Sequence, residues 1–264
     1  MNLGLIGCGK MGRALLEGIL NKKIVEAGQV RVFDTYQDAV KLMADDLGVQ
    51  AASSNDEVLA NSDTVLLCIK PQGFLTMLEA LDEHPQRLLI SIAAGIRISN
   101  IETAAKNQHR IIRVMPNTPA LVGKGASAFS LGSKATADDA ESARRLLAAV
   151  GYVSEVTEDL LDPVTALSGS GPAYIFAMIE SMVAAAVKLG LDQQTALDLA
   201  THTVAGAAEM VLQTGDSPTQ LRENVTSPNG TTFAALESLR HNQFDSIIHD
   251  ALKAACDRSI ELGS

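Results

Sequence analysis

The stretch Leu3-Gly4-Leu5-Ile6-Gly7-Cys8-Gly9-Lys10-Met11-Gly12 decides the fold. Four residues with apolar side chains or none read as a short buried strand. They lead straight into G-x-G-x-x-G, and residues 11–20 continue with apolar side chains at helical spacing. In such a turn the first glycine permits the tight bend and the second lets backbone approach a pyrophosphate. The third lets helix and strand pack closely. Phosphates would rest on the unpaired amides and positive dipole end of the helix. Alone the pattern is weak. With a second strand following at Val30–Phe33, strand, turn, helix and strand stand in order, and the pattern becomes specific.

Outward from this unit the alternation continues. Short apolar runs at 64–69, 88–92, 111–115, 126–131 and 152–156 end in Gly, Pro, Asp or Asn, as strands do. Helical patterns fall between them at Gln37–Leu47, Asn55–Ala60, after Pro71, and at 137–150. Alternation of this kind predicts an α/β domain of Rossmann type, with a mainly parallel sheet covered on both faces, over residues 1–158. From 159 the strands stop, and Ala-rich helical stretches follow at 172–189, 192–214, Pro218–Asn224, 232–240 and 244–262. Ala is the strongest helix former. Segment 181–190 shows little polar face, so it is expected to be buried on all sides, either in a bundle or across a subunit interface. About a hundred residues could hardly bury all these helices alone, so the second half, 159–264, is expected to be an all-α substrate-binding and dimerisation domain.

Composition narrows the function classes. The chain has 264 residues, 47% hydrophobic and 20% charged, with 21 basic against 31 acidic residues and a net charge of −10. That length suits two domains, and the apolar fraction suits a full core. An acidic surface without a basic stripe repels phosphate backbones and argues against general nucleic-acid binding. Cys8, Cys68 and Cys256 are widely spaced, with no CxxC and no ligand-spaced His, which argues for a reducing compartment and against structural zinc. The motif begins so near Met1 that no signal peptide is expected. The apolar run 174–191 is interrupted by Glu180 and Lys188, so no membrane span is expected, and the chain reads as cytoplasmic.

Several further positions carry chemistry. Asp34 ends the second strand, where an acidic residue holds the ribose hydroxyls of NAD and repels a 2′-phosphate; it equally suits a solvated N-cap for the helix from Gln37. Thr35, Tyr36 and Asn55 offer neutral hydrogen bonds to either cofactor, so NADH and NADPH both remain open. Two more strand ends, Cys68-Ile69-Lys70-Pro71-Gln72 and Ala93-Ala94-Gly95, belong to the same edge of a parallel sheet. Lys70 is either a cofactor contact or a solvated loop lysine. Cys8 and Cys68 read as packing residues rather than nucleophiles, because no base accompanies them.

In the helical half, Val225-Thr226-Ser227-Pro228-Asn229-Gly230-Thr231-Thr232-Phe233 is a polar turn. Amides of Gly230, Thr231 and Thr232 with nearby hydroxyls suit a carboxylate. A helix start capped by Thr231 or Thr232 is the plainer alternative. Ser168-Gly169-Ser170-Gly171-Pro172 reads as punctuation, with Pro172 in a first helical turn and Gly171 or Ser170 as its cap. It is not a hydrolase elbow.

Taken with Ile69-Lys70-Pro71-Gln72, Ser91-Ile92-Ala93-Ala94-Gly95, Arg113-Val114-Met115-Pro116-Asn117-Thr118-Pro119 and Leu167-Ser168-Gly169-Ser170-Gly171-Pro172-Ala173-Tyr174, these segments resemble the Δ1-pyrroline-5-carboxylate reductase family along the whole chain. The resemblance implies a Rossmann domain and a helical domain that interlocks into a homodimer, with rings of dimers in some members. It implies reduction of a cyclic imino acid to L-proline by NADPH or NADH, the last step of proline biosynthesis, without a metal. Cofactor contacts are implied at Ile6, Gly7, Cys8, Gly9, Lys10, Met11, Asn55, Cys68, Ile69, Lys70, Pro71, Ala93, Ala94 and Asn224. Substrate contacts are implied at Ser227, Gly230, Thr231 and Thr232, with Glu158 near the ring and the Thr232 hydroxyl facing its nitrogen as the catalytic group. Asn229 and Thr231 occupy positions where family members often carry Gly and Ala, and Asp34 stands where many NADPH-using members have Ser, Thr or another uncharged residue. Two rivals remain: a β-hydroxyacid dehydrogenase, which needs an acid–base lysine, and a dinucleotide sensor without turnover.

Overall fold

The computed structural model describes residues 1–263. Its elements alternate as the sequence implies. The chain runs β1 (Leu3–Ile6), α1 (Lys10–Asn21), β2 (Val30–Phe33), α2 (Gln37–Leu47), β3 (Gln50–Ala51), α3 (Asn55–Ala60), β4 (Thr64–Leu67), α4 (Phe74–Glu79) and β5 (Leu88–Ser91). It continues through α5 (Ile98–Ala104), β6 (Arg110–Met115), β7 (Gly125–Leu131), α6 (Ala137–Leu147) and β8 (Gly151–Glu155). All eight strands form one sheet in the order β3-β2-β1-β4-β5-β6-β7-β8. The first six are mutually parallel, β7 runs antiparallel to β6, and β8 is parallel to β7.

Side chains alternate across the sheet and build two cores. Leu3, Leu5, Leu66, Ile90 and Ile112 pack on one face with Leu15, Leu16 and Ile19 of α1. Val65, Leu67, Leu89 and Ile111 pack on the other with Val58, Phe74 and Ile101. Gly4, in the centre, is small of necessity: a Cβ there would lie 2.5 Å from Val58 Cγ1. Two elements carried too little signal to be read in advance. β3 is a two-residue exposed edge strand, and α5 has seven residues and no side-chain cap. The helix expected over 137–150 stops at Leu147 and tightens into a 3-10 turn at Ala148–Val150.

Beyond β8 the chain forms α7 (Leu161–Val164), a π-helical turn at Thr165–Gly169, and then α8 (Gly171–Lys188). The Ser-Gly-Ser-Gly-Pro segment is thus no helix cap. Ser170 N donates to Thr165 O at 2.8 Å, the five-residue spacing of a π turn, and the helix passes through. A Cβ on Gly169 would meet the terminal methyl of Met115, which would have to move aside. Then follow α9 (Gln193–Thr214), α10 (Pro218–Asn224), α11 (Thr231–His241) and α12 (Phe244–Gly263).

Contacts divide the chain into two compact units, Met1–Ser170 with residues 255–263, and Gly171–Ala254. The division falls after Ser170, beyond the expected boundary at 158, and α12 begins in the second unit and finishes in the first. In the second unit α8 packs on α9 through Val183, Ala196 and Ala200. These are its only buried apolar residues, while Phe176 is 59% exposed and Leu199 56%.

Candidate active site

At the carboxyl ends of β1, β2 and β4 the first unit opens a crevice of about 450 Å³. Gly7 and Gly9 of the turn line it, beside Asp34 and Thr35 after β2, Asn55 at the start of α3, and Cys68, Ile69 and Lys70 after β4. Ile6 and Phe33 close its floor, and Gln72, Gly73 and Met77 complete the wall. Met77 carried no sequence signal, because α4 is short and its inner face reads as ordinary core.

Each glycine has a separate cause. Gly7 has φ +105°, and a Cβ there would lie 2.5 Å from Cys68 O. A Cβ on Gly12 would run into Gly7 O. Gly9 meets nothing within 4 Å, so its face is open to the crevice. Gly9 is also the N-cap of α1 without any side-chain cap, which leaves the first amides of that helix, those of Lys10 and Met11 among them, unpaired within the helix. Such an end favours anions.

Asp34 is not the N-cap of α2; Tyr36 holds that place, without a side-chain bond. Instead its Oδ2 accepts from Cys8 N at 2.7 Å and its Oδ1 from Tyr36 N at 2.9 Å. Asn55 Oδ1 is buried without a partner in the same crevice. An open glycine face, uncapped helix amides and an orphaned acceptor together fit a dinucleotide: phosphates for the amides, and ribose hydroxyls for the carboxyl and amide oxygens. The thiols take no chemical part. Burial, then the Asp34 charge, pushes Cys8 up to about 12, and burial raises Cys68 as well. Cys8 sits in the core with only its amide turned toward Asp34.

Pro71 lies between crevice residues Lys70 and Gln72. Ala93 and Ala94 follow β5, the strand beside β4. Ala93 is buried, its amide held by Ser91 Oγ at 3.2 Å. Glu158 Oε1 accepts from Ile98 N at 2.7 Å and from Arg113 Nη1 at 2.9 Å. One turn on, Asp162 takes Arg97 Nη2 at 2.8 Å and Ser259 Oγ of α12 at 2.7 Å. Both carboxylates therefore hold the chain just after Ala93-Ala94-Gly95. Gly95 has φ +74° and meets Leu262 of α12, which leaves no room for a larger residue without movement.

In the second unit, Asn224, Ser227, Gly230, Thr231 and Thr232 gather on one turn between α10 and α11. Asn229 adopts φ +58°, which Asn tolerates. Gly230 N donates to Ser227 O at 3.0 Å, and a Cβ on Gly230 would strike Ser227 Oγ. Neither threonine caps α11. Gly230 is the N-cap and no side chain bonds to it, so the amides of Thr231 and Thr232 stay available. Asn224 Oδ1 accepts from Gln220 Nε2 at 2.9 Å.

A parallel sheet with this crevice at its switch point, followed by a helical unit carrying an uncapped anion site, defines a dinucleotide-dependent oxidoreductase. Known proteins agree. Residues 2–95 match the family profile described as NADP oxidoreductase coenzyme F420-dependent, and residues 158–262 match pyrroline-5-carboxylate reductase dimerisation. The pyrroline-5-carboxylate reductase of Methanosarcina acetivorans is 41% identical over 99% of this chain and 97% of its own. The solved reductase of Coxiella burnetii superposes with TM-score 0.94 at 36% identity, covering 100% of this chain and 98% of that one. That of Plasmodium falciparum, with NADP bound, gives 0.86 at 31% identity over 100% and 98%. The chain belongs to the pyrroline-5-carboxylate reductase family.

Proposed function

We propose that this protein reduces Δ1-pyrroline-5-carboxylate to L-proline with NAD(P)H, the last step of proline biosynthesis. The observation that carries the reading is identity of 41% running across 99% of the chain, crevice and helical unit alike. The bound dinucleotide supplies the hydride. The chain supplies orientation and charge. The α1 amides and Gly9 hold the pyrophosphate, and Asp34 with Asn55 takes the adenosine ribose. Cys68, Ile69, Lys70 and the Ala93-Ala94 turn shape the nicotinamide end. The Thr231 and Thr232 amides with Ser227 hold the substrate carboxylate, and the Thr232 hydroxyl bonds the ring nitrogen. One C–H bond forms as the C=N π bond breaks, and the nitrogen keeps the proton that activated it. Such a reaction needs no metal and no strong base, and the hydroxyacid rival finds no support, since Lys188 alone lies between Lys134 and Lys253 and is exposed.

The assay follows reduced-nicotinamide absorbance with the cyclic imine as substrate. Substrate-dependent oxidation is expected, and Thr232→Ala is expected to lower kcat about a hundredfold. Unchanged kcat with a raised KM would leave Thr232 a binding residue only. Dinucleotide binding without turnover would favour the sensor.

Assembly follows from the exposed apolar helices. Residues Glu158–Lys188 form a helical run long and apolar enough to cross a membrane by length and composition. Burial of this surface in a second copy, within a cytoplasmic homodimer and rings of such dimers, is the assembly proposed. A detergent-free dimer or higher multiple is expected by light scattering, and Phe176→Asp combined with Leu199→Asp is expected to yield monomers. A dimer that survives both changes would place the interface elsewhere.

A further inference from the structure

We propose that Asp34 makes this chain an NADH-preferring reductase, because its carboxylate is pinned where a 2′-phosphate would have to sit. The inference rests on the reductase reading and concerns the adenosine end of the same crevice.

Three observations carry it. An acidic residue at the end of β2 discriminates only if it stays in place, and Asp34 is tied down. Its Oδ2 accepts from Cys8 N at 2.7 Å, an amide of the glycine turn itself, and its Oδ1 accepts from Tyr36 N at 2.9 Å. Swinging aside would strand both amides. An ionised carboxylate is an acceptor only, with about four lone-pair sites, so it has capacity left for a hydroxyl donor and none for a phosphate oxygen. Asn55 Oδ1, buried and unpartnered, adds a second acceptor in the same crevice.

No compensating cation lines this end. Lys70 is the one cationic residue among those lining the crevice, and it follows β4. In the sheet β1 stands between β2 and β4, which separates the two strand ends by about 10 Å. Arg13, the arginine of α1, is committed to Glu17 at 2.7 Å and Asp46 at 2.8 Å. Gln37 spends its Nε2 on Asp34 O at 2.9 Å. A phosphomonoester would therefore meet a fixed negative charge with no cation among the lining residues beside it, and like charges placed together are strongly disfavoured.

Binding is measured directly, apart from turnover. The chain has no tryptophan, so titration can follow the emission of the reduced nicotinamide itself. The intact protein is titrated with NADH and NADPH, and calorimetry repeats the comparison with NAD+ and NADP+. NADH is expected to bind at least about tenfold more tightly. Asp34→Asn, which keeps an acceptor for Cys8 N without the charge but gives up the one for Tyr36 N, is expected to bring the ratio to about unity or invert it, with a ligand-free melting temperature lowered by a few degrees at most. Asp34→Ser is expected to do the same with weaker NADH binding. Equal affinities in the wild type, or tighter NADPH, would overturn the assignment even if the variants fail to fold. Turnover with an NADPH preference would overturn it and leave the reductase reading standing, whereas absence of binding by either dinucleotide would remove both.

Discussion

Gly9→Ala is expected to leave the ligand-free protein as stable as before and to weaken dinucleotide binding by about a hundredfold, the equivalent of one or two charge-assisted hydrogen bonds of about 1.5–3 kcal/mol each. A Cβ at Gly9 meets nothing within 4 Å, and the residue has φ −73°, so the folded chain accepts a methyl there without strain. Only a ligand that comes down onto the backbone would meet it. Gly7→Ala should act the other way. At φ +105°, with Cys68 O 2.5 Å from the new atom, it strains the turn and forces β1 from β4 before any ligand arrives. Thermal melting separates the two variants, and calorimetry with the dinucleotide completes the comparison. Normal binding by Gly9→Ala would show that the phosphates do not cross this turn.

The second large effect is expected at Glu158. Arg113 is 4% exposed, and Glu158 Oε1 joins its guanidinium to the amide that opens α5. Removing one partner of a buried ion pair leaves the other charge uncompensated. Because the Glu158 side chain is 26% exposed, the lower end of the usual range applies, and Glu158→Ala should cost about 3 kcal/mol, or about 6–12 °C in melting temperature. Glu158→Gln keeps an acceptor for Ile98 N and should fall between the two. A substrate-contacting Glu158 would give the reverse pattern, with a raised KM for the imine and a melting temperature close to wild type.

The sheet was legible because its strands are short, apolar and punctuated, and because Gly7, Gly9 and Gly12 tie one turn to one ligand class. Eight of the cofactor residues implied by the sequence line a single crevice. What escaped had physical reasons. A two-residue edge strand at Gln50–Ala51 buries nothing and leaves no pattern. The Ser-Gly-Ser-Gly-Pro run looks like a helix start, yet a π turn carries the chain through it, and Asn117 Nδ2 donates to Ser168 O, the carbonyl four residues before Pro172 that its missing amide cannot serve. Thr231 and Thr232 suit a capping position, but Gly230 takes it, and an uncapped end is the more useful one for holding an anion. Glu158 could not be resolved from sequence at all, since its partners Arg113 and Ile98 lie 45 and 60 residues away.

The last turns of α12 set the order in which the molecule can be made. Ser259 reaches Asp162 across 97 residues, and Leu262 packs against Gly95, yet both follow the whole of Gly171–Ala254 in the chain. As the polypeptide leaves the ribosome, the sheet and its crevice can assemble early, because domains fold as units during synthesis. Arg97 and Asp162 must then wait, paired to each other but uncovered, until every helix of the second unit has emerged. The turn after β5 is thus among the last parts of the nascent chain to be finished.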